Sequence, residues 1–493
     1  MFTKVNSGGL WGIEGFPVEV QVDISSGLPV FNIVGLPDSS VREAKERVRA
    51  AIKNSGFAFP LKRITVNLSP SDRKKQGTFY DLPMALGILE INGVLKTKDF
   101  VILGELSLDG NLKKVNGILA VLISLKQKGF TKFIIPKENA GEACLISDIE
   151  VYVFEHLREV VEFLQGKVKN KPLKKGCIPS EEDNFEEDLL DVKGQTLAKR
   201  ALEISAAGFH HILFVGSPGA GKSMLAKRIK TIAPPMEFEE ILEVSKIYSV
   251  AGLLEDGLIT RRPFQAPHHT SSEIALIGGG NPPKPGVISL AHKGYLLLDE
   301  MAEFPRKTLE ALRQPLEDGK VQVSRASFSV SFPAEFTLIG TMNPCPCGNY
   351  NNPFRVCTCS EKEIKNYNKK ISEPIKDRID LKVWVYPVDE KELINLPEGE
   401  SSQLIRKRVS VAYGIQKERG KINSRLTNKE VEEFCVKFLT RDAKNVLKNA
   451  VKNLNLSARS YFKLLKVART IADLEESENI NESHIYEALQ FRI

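Results

Sequence analysis

The chain has 493 residues, 42% of them hydrophobic and 27% charged, the balance of a soluble globular protein too long for one core, so about two to four domains are expected. Its net charge of +7 fits a polyanion partner without demanding one. No run of about eighteen apolar residues occurs, and residues 1–16 hold no apolar signal core, so neither a membrane span nor a secretory signal is expected and the cytoplasm is the expected compartment.

Residues 18–24 alternate apolar and polar side chains as a half-buried strand does, and 64–68 read as another strand. Over 39–55 the apolar positions Val41, Ala44, Val48, Ala51 and Ile52 recur at helical spacing, and 81–95 and 117–128 are further helices. Residues 167–188 are polar and turn from basic to acidic, a linker by composition. From 189 to 390 strands and helices alternate, which predicts a parallel sheet with crossover helices. Its short apolar strands, 211–215, 295–298 and 336–339, suit a sheet covered on both faces. From 391 to 493 the pattern is helical, with helices at 404–417, 428–438, 441–453, 458–474 and 482–490 and with Thr427 and Asn481 as N-caps.

The chemistry-bearing motif is Gly216, Ser217, Pro218, Gly219, Ala220, Gly221, Lys222 and Ser223, which fits G-x-x-x-x-G-K-S between an apolar strand and a helical run. The glycines let backbone N–H groups turn inward around phosphate oxygens, Lys222 reaches the β- and γ-phosphates, and the Ser223 hydroxyl serves magnesium. A second apolar strand ends in Asp299 and Glu300, a carboxylate for magnesium and one to orient the attacking water. Cys345, Cys347, Cys357 and Cys359 form a C-x-C, nine residues, C-x-C cluster. Four thiolates at that proximity in a cytosolic chain predict a structural zinc site in an insert at 345–359.

The order of P-loop, Leu298-Asp299-Glu300, Gly340-Thr341-Met342-Asn343-Pro344 and Asp377-Arg378-Ile379-Asp380 resembles that of the AAA+ ATPases. The stretches 262–270 (RPFQAPHHT), 275–280 (ALIGGG) and 312–317 (LRQPLE) resemble the magnesium-chelatase-like branch, and within it the YifB/ComM group, over nearly the whole chain. The resemblance implies an α/β fold: an AAA+ P-loop parallel-sheet core over 189–390, a C-terminal helical lid over 391–493, and before them a Lon-protease-like α+β domain of the ribosomal S5 domain 2 type over 1–166. It assigns Asn343 to sensor 1, Arg378 to an arginine finger reaching the neighbouring subunit, Arg459 to sensor 2, and residues 192–195 to adenine contact. It implies ATP and Mg2+ as cofactors and a ring, expected to be a hexamer. It further implies an insert at 263–286 and a pore hairpin at 319–332, with Lys284, Lys320 and Arg325 placed to touch DNA phosphates. His268 and His269 lack partner ligands in the sequence and read as structural or coupling residues.

In the N-terminal unit the expected nucleophile loop, 76–81, has no serine and the helix at 116–121 has no lysine, so no proteolysis is expected. Lys62, Arg63, Arg73, Lys74 and Lys75 are expected to form a basic patch there. The function implied is an ATP-driven DNA motor for branch migration or strand separation in natural transformation. The alternative is a magnesium-chelatase-like motor subunit that remodels a protein partner.

Overall fold

Alternating apolar and polar residues make Glu14–Ser25 an interior strand with one face buried, and it pairs antiparallel with both Phe2–Trp11 and Arg63–Ser69. These belong to a seven-stranded mixed sheet in the order Val30–Val34, Arg63–Ser69, Glu14–Ser25, Phe2–Trp11, Val101–Ile102, Lys132–Pro136, Glu150–Phe154. Helices Ser39–Asn54, Asp81–Ile91 and Ile118–Lys126 pack on it. The second helix stops short of the expected 95 because Asn92 and Gly93 (φ +74) end it. The computed structural model describes residues 1–97, 99–144, 146–174, 176, 185–255, 257–280, 283–325, 328–388 and 399–492. Most of the expected linker's middle, the boundary at 390 and 391, Cys177 and the side chain of Arg325 lie outside the described residues.

After residue 188 a five-stranded, all-parallel sheet runs in the order Phe264–Gln265, Tyr295–Leu298, Thr337–Met342, Ile212–Gly216, Leu381–Val385. Tyr295–Leu298 and Thr337–Met342 are buried at every position, as strands covered on both faces must be. The helix Thr196–Gly208 and the C-terminal helices Ser402–Glu418, Arg441–Asn453, Ala458–Leu474 and Glu482–Gln490 share one apolar core with this sheet. The expected helix at 428–438 is instead a short turn, Asn428–Val431, that widens into a π-helix over Glu432–Val436, closed by Lys437 N–H to Glu432 O.

One element crosses between the two sheets. The helix Phe238–Ala251 follows the P-loop in sequence, yet Ile241 and Val244 join the core of the N-terminal sheet, as do the flanking Met236, Leu254 and Leu258. Polar contacts lock the same seam: Gly117 N–H donates to Ser249 O at 2.9 Å, and Lys114 Nζ to Leu254 O and Glu255 O. Arg262 pins the other end of this helix. Its guanidinium is buried, donating to Pro234 O at 2.8 Å, Lys293 O at 2.8 Å, Glu240 Oε2 at 2.9 Å and Tyr413 Oη at 3.1 Å, and it sits 4.7 Å from the Phe209 ring. Burial pushes the Glu240 carboxyl up, but Arg262 outweighs it and keeps the group ionised. Among the described residues no helix is long and apolar enough to cross a membrane.

Candidate nucleotide-binding site

The strand Ile212–Gly216 ends against its neighbour so closely that a Cβ at Gly216 would collide with the Val385 carbonyl, so glycine is required where the chain turns. Gly219 and Gly221 then take left-handed backbone, φ +79 and +87, which only glycine adopts freely. The helix Lys222–Lys227 starts at the lysine itself. The expected continuous helix breaks at Arg228, where Arg228 N–H donates to Leu225 O and the Thr231 hydroxyl donates to Arg228 O, tightening the turn.

Lys222 Nζ donates to Gly216 O at 2.7 Å, to Ser217 O at 2.8 Å and to Asn343 Oδ1 at 3.2 Å. Burial lowers its pKa, with the Asp299 and Glu300 charges acting the other way. Ser223 Oγ donates to Asp299 Oδ1 at 2.8 Å, and Thr341 Oγ1 donates to the same oxygen at 2.6 Å while accepting from Glu300 N–H at 3.0 Å. Glu300 has φ +53, a conformation that costs a non-glycine residue about 1–3 kcal/mol and persists where neighbours over-determine it. The structure thus gathers the P-loop, Asp299, Glu300 and Asn343 at the ends of three parallel strands. A hydroxyl beside a carboxylate suits a hard divalent cation, and the ammonium among backbone groups suits an oligophosphate. Thr341 was not singled out from the sequence. Period-two alternation puts it on the same face as Asn343, which is the signal that could have found it.

Arg378 and Arg459 lie elsewhere. The strands Ile212–Gly216 and Leu381–Val385 run parallel with Ile212 opposite Leu381 and Gly216 opposite Val385. Arg378, just before Leu381, is therefore at the strand starts, about 15 Å from the P-loop at 3.3 Å per residue. Both arginines line one cleft of about 500 Å³ with Lys421, Arg425, Lys463 and Lys466. Arg378 donates to Pro374 O at 2.6 Å and pairs with Glu317. Lys463, one helical turn beyond Arg459, donates to Ile379 O at 2.9 Å and lies 3.4 Å from Asp380 Oδ1. Burial alone would raise the Asp380 pKa, but His210 and Lys463 beside it hold it well below the usual carboxylate range.

His211 on the cleft wall accepts the Leu338 N–H on Nδ1 at 3.0 Å, so its ring must be neutral there. Burial, helped by Lys463 and Arg425, pushes its pKa down to about 4 from 6.5. A folded pKa below the unfolded one means that the contribution is fully present above pH 6.5 and is lost as the pH falls to about 4, on the order of 3 kcal/mol. His211→Asn keeps an acceptor for Leu338 without titrating. Urea melts from pH 6.5 to 4 are expected to show a shallower loss of stability in this variant than in the wild type.

The four cysteines converge beside the P-loop. Cys345 Sγ lies 3.4 Å from Cys347 Sγ and 3.7 Å from Cys357 Sγ, Cys347 Sγ lies 3.6 Å from Cys357 Sγ, and all four sulfurs fall within 4.8 Å of one another. A tetrahedron with zinc–sulfur bonds of about 2.3 Å has edges of about 3.8 Å, so the set fits a four-thiolate metal site. The Tyr350 and Cys347 amides point at Cys345 Sγ and Cys359 Sγ at 3.3 and 3.4 Å, as donors to thiolates do. The amides of Asn349 and Thr358 draw the Cys347 thiol down to about 5.

Other expected groups fare unevenly. In the 192–195 loop, Gln195 takes left-handed backbone (φ 56) and donates to Tyr386 O at 2.6 Å. The expected hairpin is present as Lys320–Arg325 and Phe328–Pro333, but Val321 and Phe332 at its base are core, and Val330 abuts Gly12, in the turn after Phe2–Trp11, so closely that a Cβ there would collide. Lys284 and Lys320 are exposed. His268 and His269 stack with centroids 4.1 Å apart, and His268 Nδ1 bonds Thr270. The basic patch is a correction. Lys62 and Arg63 precede or start the strand Arg63–Ser69, while Arg73 and Lys74 lie beyond its other end, about 20 Å away, with Arg73 over the Phe16 ring. Lys75 is buried, donating to Arg73 O at 2.9 Å, and cannot face a ligand in solvent.

Comparison with known proteins agrees along the chain. The family described as "Magnesium chelatase, subunit ChlI" matches residues 188–393, "Subunit ChlI of Mg-chelatase" matches 20–139, and "Magnesium chelatase, subunit ChlI C-terminal" matches 399–492. The chain is 43% identical to competence protein ComM of Haemophilus influenzae over 99% of its own length and 97% of that protein's. It is 41% identical to protein YifB of Salmonella typhimurium over 99% of its length and 96% of that protein's. A magnesium-chelatase 67 kDa subunit of Chlorobaculum parvum is 30% identical over 31% of this chain and 23% of its own. With full-length relatives at this identity and family matches from one end to the other, the chain belongs to the YifB/ComM group of the magnesium-chelatase-like proteins.

Proposed function

We propose that this chain is a ring-forming AAA+ ATPase that works on DNA as a branch-migration or strand-separating motor, expected as a hexamer, and that it serves the competence role in its relative's name. The observation that carries the reading is the division of the nucleotide machinery: the P-loop, Asp299, Glu300 and Asn343 sit at the strand ends, and Arg378 and Arg459 sit together at the strand starts. A subunit built this way has half a site on each side and needs a neighbour to complete it. Lys222 holds the β- and γ-phosphates of ATP and Asn343 positions the terminal one. Glu300 orients a water that attacks the γ-phosphorus, and the bond to the bridging oxygen breaks to give ADP and phosphate. Magnesium held by Ser223 and Asp299 supplies positive charge to the phosphates, and Arg378 and Arg459 of the neighbouring subunit add theirs on the other side. The same proposal includes zinc at Cys345, Cys347, Cys357 and Cys359. It also includes a Lon-protease-like N-terminal domain without protease activity over 1–166, a linker at 167–188, an ATPase core to 390 and a helical lid from 391.

The chelatase alternative rests on the three magnesium-chelatase family matches, but the Chlorobaculum subunit itself aligns over only 23% of its length, whereas ComM aligns over 97%. The test is ATP hydrolysis by the full chain alone, with single-stranded DNA and with a four-way junction, together with junction unwinding. Stimulation by the junction and its ATP-dependent dissociation are expected. Hydrolysis without response to, or binding of, any DNA removes the DNA motor and leaves the ATPase.

A further inference from the structure

The insert that carries the four cysteines is no remote ornament. The strand Thr337–Met342 leads into Asn343, which accepts from Lys222, and two residues later into Cys345, which is fully buried. The chain then turns through Gly348, whose N–H bonds Cys345 O at 3.0 Å and whose φ is +76. This turn lies directly on the P-loop: a Cβ at Gly348 would stand 2.5 Å from Pro218 Cδ. A few residues on, Asn352 Nδ2 donates to Ser217 Oγ at 3.0 Å. The orientation of that amide is fixed, because its Oδ1 accepts from Phe354 N–H at 2.8 Å and Arg355 N–H at 3.2 Å, which leaves only the NH2 group for Ser217. Cys357 and Cys359 follow and close the tetrahedron with Cys345 and Cys347.

Resting on the reading of the P-loop as an ATP site, we propose that the four-thiolate centre is a metal-held clasp on the phosphate-binding loop. Zinc there sets the nucleotide affinity by pressing Gly348 and Asn352 onto Pro218 and Ser217. The physical logic is preorganisation. Ser217 and Pro218 are two of the four unspecified positions of the P-loop motif, and the loop's backbone must hold one shape to present its N–H groups to phosphate. Over 346–359 only Gly348 is buried, so the insert has little apolar packing of its own to hold that shape. Four metal–sulfur bonds supply it, and the contacts to Ser217 and Pro218 transmit it. Asn352 is a positioning residue in this scheme, acting through Ser217.

The test uses the full chain, with bound zinc counted by mass spectrometry and equilibrium binding of a fluorescent ATP analogue as the readout. One zinc per chain is expected. Stripping it with a strong chelator is expected to weaken analogue binding roughly tenfold, about 1.4 kcal/mol, and adding Zn2+ back is expected to restore it. Asn352→Ala is expected to keep its zinc and yet weaken binding about three- to tenfold, the worth of one hydrogen bond. Combined with Ser217→Ala it is expected to add little, since both remove the same contact. Asn352→Ala keeps the proposal exposed even if cysteine variants fail to fold. Nucleotide binding that ignores zinc removal, or an Asn352→Ala chain that binds as the wild type does, overturns the clasp alone. A zinc-loaded wild type that binds no nucleotide overturns the clasp and the ATP site together.

Discussion

Lys222→Ala is expected to lower ATP turnover by about a hundred- to a thousandfold, and to weaken nucleotide binding, with the fold intact. The ammonium is the one side-chain cation bonded within the P-loop among the described residues, held by Gly216 O, Ser217 O and Asn343 Oδ1. Alanine leaves the β- and γ-phosphates with backbone donors only, and leaves Asn343 without the partner that fixes its side chain. Burial already lowers the lysine's pKa, so the site relies on Asp299 and Glu300 to keep it charged. Phosphate release and binding of a fluorescent nucleotide measure the two effects separately. Turnover at the wild-type rate would mean that this loop does not hold the hydrolysed nucleotide.

Arg378→Ala is expected to behave differently: a loss of turnover of about a thousandfold or more, with nucleotide affinity changed less than about threefold. The reason is placement. Arg378 sits at the starts of the strands whose ends carry the P-loop, bonded to Pro374 O and paired with Glu317, so it makes no part of its own subunit's phosphate cradle. The decisive measurement mixes the two inactive variants. In an evenly mixed ring roughly a quarter of the interfaces join an intact P-loop to an intact arginine, and partial turnover is expected to return. Mixed rings that stay silent, or an Arg378→Ala chain that hydrolyses ATP normally, would show that the site is not shared.

How much of this was legible in the sequence depended on how local each feature is. That the P-loop, Asp299 and Glu300 come together was readable because each lies in consecutive residues at a strand end. The C-terminal helices Arg441–Asn453, Ala458–Leu474 and Glu482–Gln490 were readable from their apolar spacing, and the start of the last from its N-cap Asn481; Thr440 and Ser457 cap the other two without having been singled out. What failed was long-range. That Arg459 keeps company with Arg378 follows from how Ala458–Leu474 packs against Asp380 and Ile379, which no local pattern reveals. The basic residues near 62–75 looked contiguous because sequence neighbours are not spatial neighbours once a seven-residue strand separates them, and Lys75 turns inward. Asn352 and Gly348 carry no motif at all. Their meaning comes only from Ser217 and Pro218 lying beneath them.

The helix Phe238–Ala251 bears on how the N-terminal unit can be separated from the rest. A stretch as polar as 167–188 invites the chain to be cut there, yet Met236, Ile241, Val244, Leu254 and Leu258 have their apolar surroundings on the far side of the cut. A truncated chain beginning at 189 would leave those five side chains facing water, each forfeiting about 1.5–3 kcal/mol of burial. The apparent spacer is therefore a covalent bypass around a seam already closed by packing, and the two sheets are expected to fold and unfold as a pair.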